Sequence, residues 1–174
     1  PYSETFRQPE VWISMLLFFF YVGAEMGLGA WAYSFLTESR EISVKVAGYL
    51  AGSFYLMFTI GRALAGLYAR RVGTHTLVKA SVAGALTGSI LMLINVSDIV
   101  TIIGLALVGF SIAPIFAAMV SGTTERVGAK YAANTVGLQM SASGASGAVL
   151  PPLMGVLSRH ISLEVVPVCL CIFF

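Results

Sequence analysis

VWISMLLFFFYVGAEMGLGAWAYSFL, residues 11–36, holds a single charged side chain, Glu25, among apolar, aromatic and small residues. At ~1.5 Å of rise per residue, a helix of this length reaches ~39 Å, enough to cross the ~30 Å hydrocarbon core of a bilayer. The stretch therefore reads as a transmembrane helix, and its lone acid asks for a reason. A charge at the bilayer centre costs about 2.5–3.5 kcal/mol on insertion scales, so Glu25 is expected to be protonated, paired or in contact with water.

The rest of the chain has the same character. Of its 174 residues 57% are hydrophobic and 10% charged, and the mean hydropathy is +0.88, far from the balance of a soluble domain. Four further runs are long and apolar enough to cross a membrane, over roughly 43–69, 76–94, 99–121 and 131–157. A sixth begins at Glu164 and is cut off at Phe174, and the chain opens on Pro1 with neither a methionine nor a basic leader. The expectation is an internal fragment, an all-α integral membrane bundle whose last helix is truncated.

Seven of the ten Lys and Arg residues (Arg7, Arg62, Arg70, Arg71, Lys79, Arg126 and Lys130) fall at one set of helix ends, and Arg40, Lys45 and Arg159 at the other. Because retained loops are rich in Lys and Arg, this bias puts the N-terminus, the 66–79 loop and the 122–130 loop in the cytoplasm. The localisation expected is a plasma or bacterial inner membrane. Asn95 in INVSD matches a glycosylation pattern, but the loop is too tight for a transferase to reach.

Several function classes find no support. Cys169 and Cys171 read as small packed hydrophobes, while His75 and His160 lie near opposite faces, so no metal site is expected. No P-loop, G-x-S-x-G or H-E-x-x-H occurs. The expectation is neither an enzyme nor a nucleic-acid partner, and no cofactor.

Glycines and stranded polar residues carry the rest. The pairs Gly23/Gly27, Gly48/Gly52 and Gly84/Gly88 have the four-residue spacing that lets membrane helices approach closely. Gly48, Gly52, Tyr55, Thr59, Arg62 and Gly66 form one small and polar stripe, and Ala133, Gly137, Ser141 and Ala145 another. Pro151 and Pro152 then interrupt the outer part of the fifth segment. A rigid bundle explains any one of these features; together they suit helices that rock around a central site. Glu25 points away from Gly23 and Gly27, which would let the glycines pack while the acid faces a cavity. Tyr55 and Gln139 offer donors, acceptors and an aromatic face to a polar solute, although packing explains each of them alone. Trp31 fits an interfacial anchor, Asn134 a helix end, and Arg62 a gate whose head reaches water.

Three stretches resemble the second six-helix half of a major facilitator superfamily permease, most closely the fucose, glucose and galactose proton symporters. Tyr21, Val22, Gly23, Ala24 and Glu25 resemble the Y-V-G-A-E pattern common in the first helix of that half. Residues 61–73, GRALAGLYARRVG, are similar to the cytoplasmic pattern G-x-x-x-D-R-x-G: Gly66, Arg71 and Gly73 match, and Arg70 stands in place of the acid. Residues 109–157 resemble the fourth and fifth helices with their basic loop. The resemblance implies a twelve-helix fold completed by an N-terminal half of the same chain. It also implies alternating access, with a small polar solute such as a sugar carried together with protons across the lipid bilayer. Glu25, Tyr55 and Gln139 would bind or couple, and Arg62, Gly66, Arg70, Arg71 and Gly73 would gate. An exporter of drugs or other amphiphiles and a non-transporting membrane sensor stay open as alternatives.

Overall fold

The computed structural model describes residues 2–174, without the side chains of Tyr2 and of residues 68–70, and no strand occurs among the described residues. A short α1 (Tyr2–Thr5) precedes α2 (Pro9–Ser34), which closes in a π-helical turn at Phe35–Ser39. Then come α3 (Val44–Val72), α4 (Thr74–Ile94), α5 (Asp98–Ile112), α6 (Ile115–Ser121), α7 (Thr123–Val127), α8 (Ala129–His160) and α9 (Val165–Phe173). Among the described residues, five stretches are long and apolar enough to cross a membrane: Pro9–Ser39, Val44–Leu67, Thr74–Ile94, Asp98–Ser121 and Ala129–His160. The molecule is an all-α half-bundle.

The fourth span is broken where the sequence suggested one helix, because Pro114 has no N–H to offer the carbonyl of Phe110. That carbonyl faces Gly61 of α3. A Cβ on Gly61 would collide with it and come to 3.0 Å from Ala113 Cβ, so only glycine lets α3 lie this close to the break. In α8, by contrast, Pro151 and Pro152 sit inside a continuous helix. The indole N–H of Trp31 donates to the Pro151 carbonyl at 2.8 Å, and its ring lies against Gly155. Trp31 therefore joins two helices.

Close packing follows the glycine pairs on two faces. Gly23 and Gly27 turn α2 onto α8, against Ser146, Leu150 and Met154. Gly88 of α4 meets Gly104 of α5 backbone to backbone: an added Cβ would stand 2.7 Å from the Gly104 oxygen and 2.9 Å from the Val108 nitrogen. Since backbone cannot yield as a side-chain tip can, Gly88→Ala is expected to cost about 1–3 kcal/mol. A thermal unfolding series in detergent on the full-length protein reads this directly, and an unchanged midpoint would contradict the packing described.

The third pair behaves differently. Gly48, Gly52 and Gly66 have no atom within 4 Å of a would-be Cβ, and Tyr55, Thr59 and Arg62 are exposed beside them. On α8, Gly137 and Gly144 are equally open, and Ala133, Ser141 and Ala145 are exposed. Among the described residues, the glycines of both small-residue stripes thus meet no neighbour. The main core lies elsewhere, built from Phe18, Leu28, Phe35 and Leu36 of α2 and its closing turn, with Met92, Leu105, Ile112 and Leu170.

The helix ends sort into two groups. At one end Lys130 pairs with Glu4 at 2.7 Å, Asn134 Nδ2 donates to Thr5 Oγ1 at 3.1 Å, and Thr74 packs on Gly122. At the other, Arg40 is buried among Ser39, Thr101, the Met92 carbonyl and Glu164. Asn95 there takes a left-handed conformation, φ 50°, as the residue that closes α4.

Candidate functional site

Tyr21 and Glu25 stand four residues apart on α2, so one helical turn brings their side chains together. The Tyr21 hydroxyl donates to Glu25 Oε2 at 2.5 Å. Glu25 is half-buried and opens into a hollow completed by Val22 and Met26 of α2, Arg62 of α3, Phe116 of α6 and Ser143 of α8. Four elements converge there. The glycine face of α2 that packs on α8 aims the acid at this hollow, since Gly23 and Gly27 lie on the other side of the helix.

Arg62 is the cation of the site. Its guanidinium lies 4.5 Å above the Phe58 ring, a cation–π contact that holds it on α3. The ion pairs found among the described residues are Arg40–Glu164 and Lys130–Glu4, so Glu25 has no cation within 4 Å there. Arg62 and Glu25 instead line one hollow without forming an ion pair. The same guanidinium borders a second hollow with Gly66, Thr74, Pro114 and Ser121, and a third with Phe58 and Thr59. It stands between the acid and the α3–α4 turn. Another hollow, between Gly61, Leu77, Phe110 and Pro114, contains no titratable group.

Other residues singled out from the sequence are spread more widely. Tyr55 is exposed, with its hydroxyl against Gly29, one turn beyond Glu25. Gln139 is fully buried: its amide exchanges hydrogen bonds with Thr123 at 3.1 and 3.3 Å, which ties α7 to α8. Gly66 lines the hollow beneath Arg62, and Arg71 is exposed near the end of α3. Gly73 has φ 76° and ψ 143°, a conformation that favours glycine, and so turns the chain sharply into α4. The side chain of Arg70 lies outside the described residues.

Ser143, Phe116 and Phe58 are site residues that pattern reading passed over. Ser143 follows Gln139 by one turn and bonds its carbonyl at 2.9 Å, a spacing that could have marked it. Phe116 follows the Pro114 break and lines the same hollow as the acid.

Chemically, the hollow offers a carboxylate, a phenol, a hydroxyl and a guanidinium beside an aromatic ring. Such a set can bind a hydroxylated solute, with hydrogen bonds to its oxygens and ring faces to its C–H groups. No group of three His, Cys, Asp or Glu positioned to hold a metal exists among the described residues.

Comparison with known proteins agrees with this architecture. The sequence model of the Major Facilitator Superfamily matches residues 1–168. The chain is 27% identical over 176 residues to Bypass of stop codon protein 6 of Saccharomyces cerevisiae, covering 95% of this chain and 35% of that protein. It is 33% identical over 125 residues to sodium-dependent glucose transporter 1 of Homo sapiens, covering 68% of this chain and 24% of that protein. The chain thus spans about a third and a quarter of the lengths of these two relatives.

Proposed function

Because this chain belongs to the Major Facilitator Superfamily, a family of multi-pass membrane transporters, we propose that it forms one half of a proton-coupled sugar symporter related to the fucose, glucose and galactose carriers. The observation that carries this reading is the half-buried Glu25, held by Tyr21 in an open hollow with Arg62 but not ion-paired to it. An acid in such a place can take up and release a proton as the site opens to either side of the membrane. The similarity to sodium-dependent glucose transporter 1 supports the solute class.

In this reading the stripes on α3 and α8 pack against an N-terminal half of the same chain, with the solute between the halves near the midplane. The end that carries α1 and the 122–130 segment faces the cytoplasm of a plasma or bacterial inner membrane. Arg62, Arg70 and Arg71, with the turn at Gly73 and the close approach at Gly66, hold that end shut by meeting acids or carbonyls of the other half. Arg71→Ala in the full-length protein should therefore slow transport several-fold while equilibrium binding to the outward-open form stays the same, because it biases a two-state equilibrium. Equal loss of both, in folded protein, argues against gating.

The deciding experiment is uptake of labelled glucose, galactose and fucose into vesicles containing the full-length protein. Accumulation driven by an inward proton gradient, unaffected when choline replaces sodium, supports the proposal. Sodium-driven accumulation assigns a different coupling ion. Uptake of amphiphiles alone points to the exporter reading, and no uptake by folded protein points to a sensor.

A further inference from the structure

A separate hollow opens at the end of the bundle that carries α1. Its rim holds Lys79 and His75 of α4, Arg126 and Glu125 of α7, and its floor is apolar, formed by Leu17 of α2 and Val78 of α4. Gly122 makes this arrangement possible: a Cβ there would stand 3.0 Å from Thr74 Cγ2 and 3.1 Å from Arg126 Nη1, so its absence lets the start of α4 and the arginine share one rim. Arg126 is pinned through Nη2, which donates to the Met119 carbonyl and to Thr123 Oγ1 at 3.3 Å, while Nη1 lies on the Gly122 side. Neither ion pair among the described residues involves Lys79, His75 or Glu125. Two cationic side chains, Lys79 and Arg126, thus face the one carboxylate of Glu125, leaving the rim with an excess of positive charge.

The floor does not stop at the hollow. Leu17 is 51% exposed and continues into Ile13, Leu16 and Phe20, which are also exposed at steps of three and four along α2. An apolar track on the outside of the bundle therefore leads directly from the basic rim.

We propose that this hollow binds an anionic phospholipid, its phosphodiester held by Lys79 and Arg126 and one acyl chain lying along Leu17, Ile13 and Phe20. The charge complementarity selects the headgroup, and the apolar track selects a lipid over a soluble phosphate. Basic pockets between transmembrane helices have this chemistry, with about 1 kcal/mol per Lys or Arg near an anionic surface. Glu125 opposes the anion and limits its affinity. The site is distinct from the Glu25 hollow and does not depend on which solute the protein carries.

The test is native mass spectrometry of the full-length protein released from nanodiscs of phosphatidylcholine mixed with phosphatidylglycerol. Lys79→Gln should reduce retained phosphatidylglycerol about fivefold, and Lys79→Glu on the order of 25-fold, with phosphatidylcholine unchanged. Glu125→Gln should increase retention about fivefold. Both positions are exposed, so unchanged melting in phosphatidylcholine alone confirms that the three variants fold. Equal phosphatidylglycerol retention by wild type and all three variants overturns the proposal. So does displacement of the lipid by millimolar glycerol phosphate, which would make this a site for a soluble anion.

Discussion

Under the proposed symport, the full-length protein with Glu25→Gln is expected to exchange labelled sugar across vesicle membranes at close to the wild-type rate, yet to accumulate none against a gradient. Glutamine keeps the length and the acceptor oxygen that the Tyr21 hydroxyl uses at 2.5 Å, but it cannot release a proton. A pH difference of one unit supports up to about tenfold accumulation per coupled proton, and the variant should fall to a ratio near one. Stability should change little. No cation lies within 4 Å of Glu25 among the described residues, and the nearby Arg62 is exposed to solvent, so the substitution costs about 1 kcal/mol or less. Weaker sugar affinity with pH dependence preserved would assign the acid to binding. Normal affinity and coupling with a sharply lowered melting temperature would remove Glu25 from function altogether.

A second large effect is expected far from this site. Glu164→Ala should destabilise the protein by about 3 kcal/mol, the lower end of what breaking a buried ion pair costs, because water reaches part of the glutamate. Its partner is the reason: the Arg40 side chain is 1% exposed against 37% for Glu164, so the guanidinium cannot recover its hydration when the acid is lost. The remaining bonds, to the Met92 carbonyl at 2.7 Å, Ser39 Oγ at 3.0 Å and Thr101 Oγ1 at 3.3 Å, leave the positive charge uncompensated. Replacing both residues, Arg40→Met with Glu164→Leu, should restore most of the loss.

The pair also sets a pH dependence. Burial alone would raise the Glu164 carboxyl, but hydrogen bonds from Arg40 and Ser39 and the charge of Arg40 outweigh it and hold the group below its ordinary value. A carboxylate lowered in this way stabilises the fold above its unfolded value, and that stability is lost as pH falls through the lower folded value. Melting curves of wild type and Glu164→Gln should therefore differ at neutral pH and converge in acid. A constant difference across the range would show that the charge of Glu164 is not what matters.

Burial and charge were legible to different degrees. The spans, the all-α class and the packing role of Gly23/Gly27 and Gly84/Gly88 could be read from runs of apolar residues and four-residue spacing. The same spacing at Gly48/Gly52 finds no neighbour among the described residues, because a spacing states that a face is smooth without stating what covers it. Gln139 suited either packing or a polar solute by its place in the sequence, and it lies wholly buried against Thr123. Ser143, one turn along the same helix, opens into the Glu25 hollow instead.

What the amino-acid order determined by itself is whatever depends on one helix at a time: which segments prefer hydrocarbon to water, that Glu25 needs a reason to sit among them, and that Tyr21 lies within its reach. These follow from transfer energies and from the 3.6-residue period, which are local. What only the tertiary structure decided is which helices meet: that Phe116 and Ser143 join Arg62 around Glu25, that Arg40 finds Glu164 across 124 residues, and that Gly122 brings Lys79 and Arg126 to one rim. Such meetings depend on the direction each helix takes after a turn or a proline, and on backbones close enough for one missing Cβ to matter. No periodicity within a single helix contains that information.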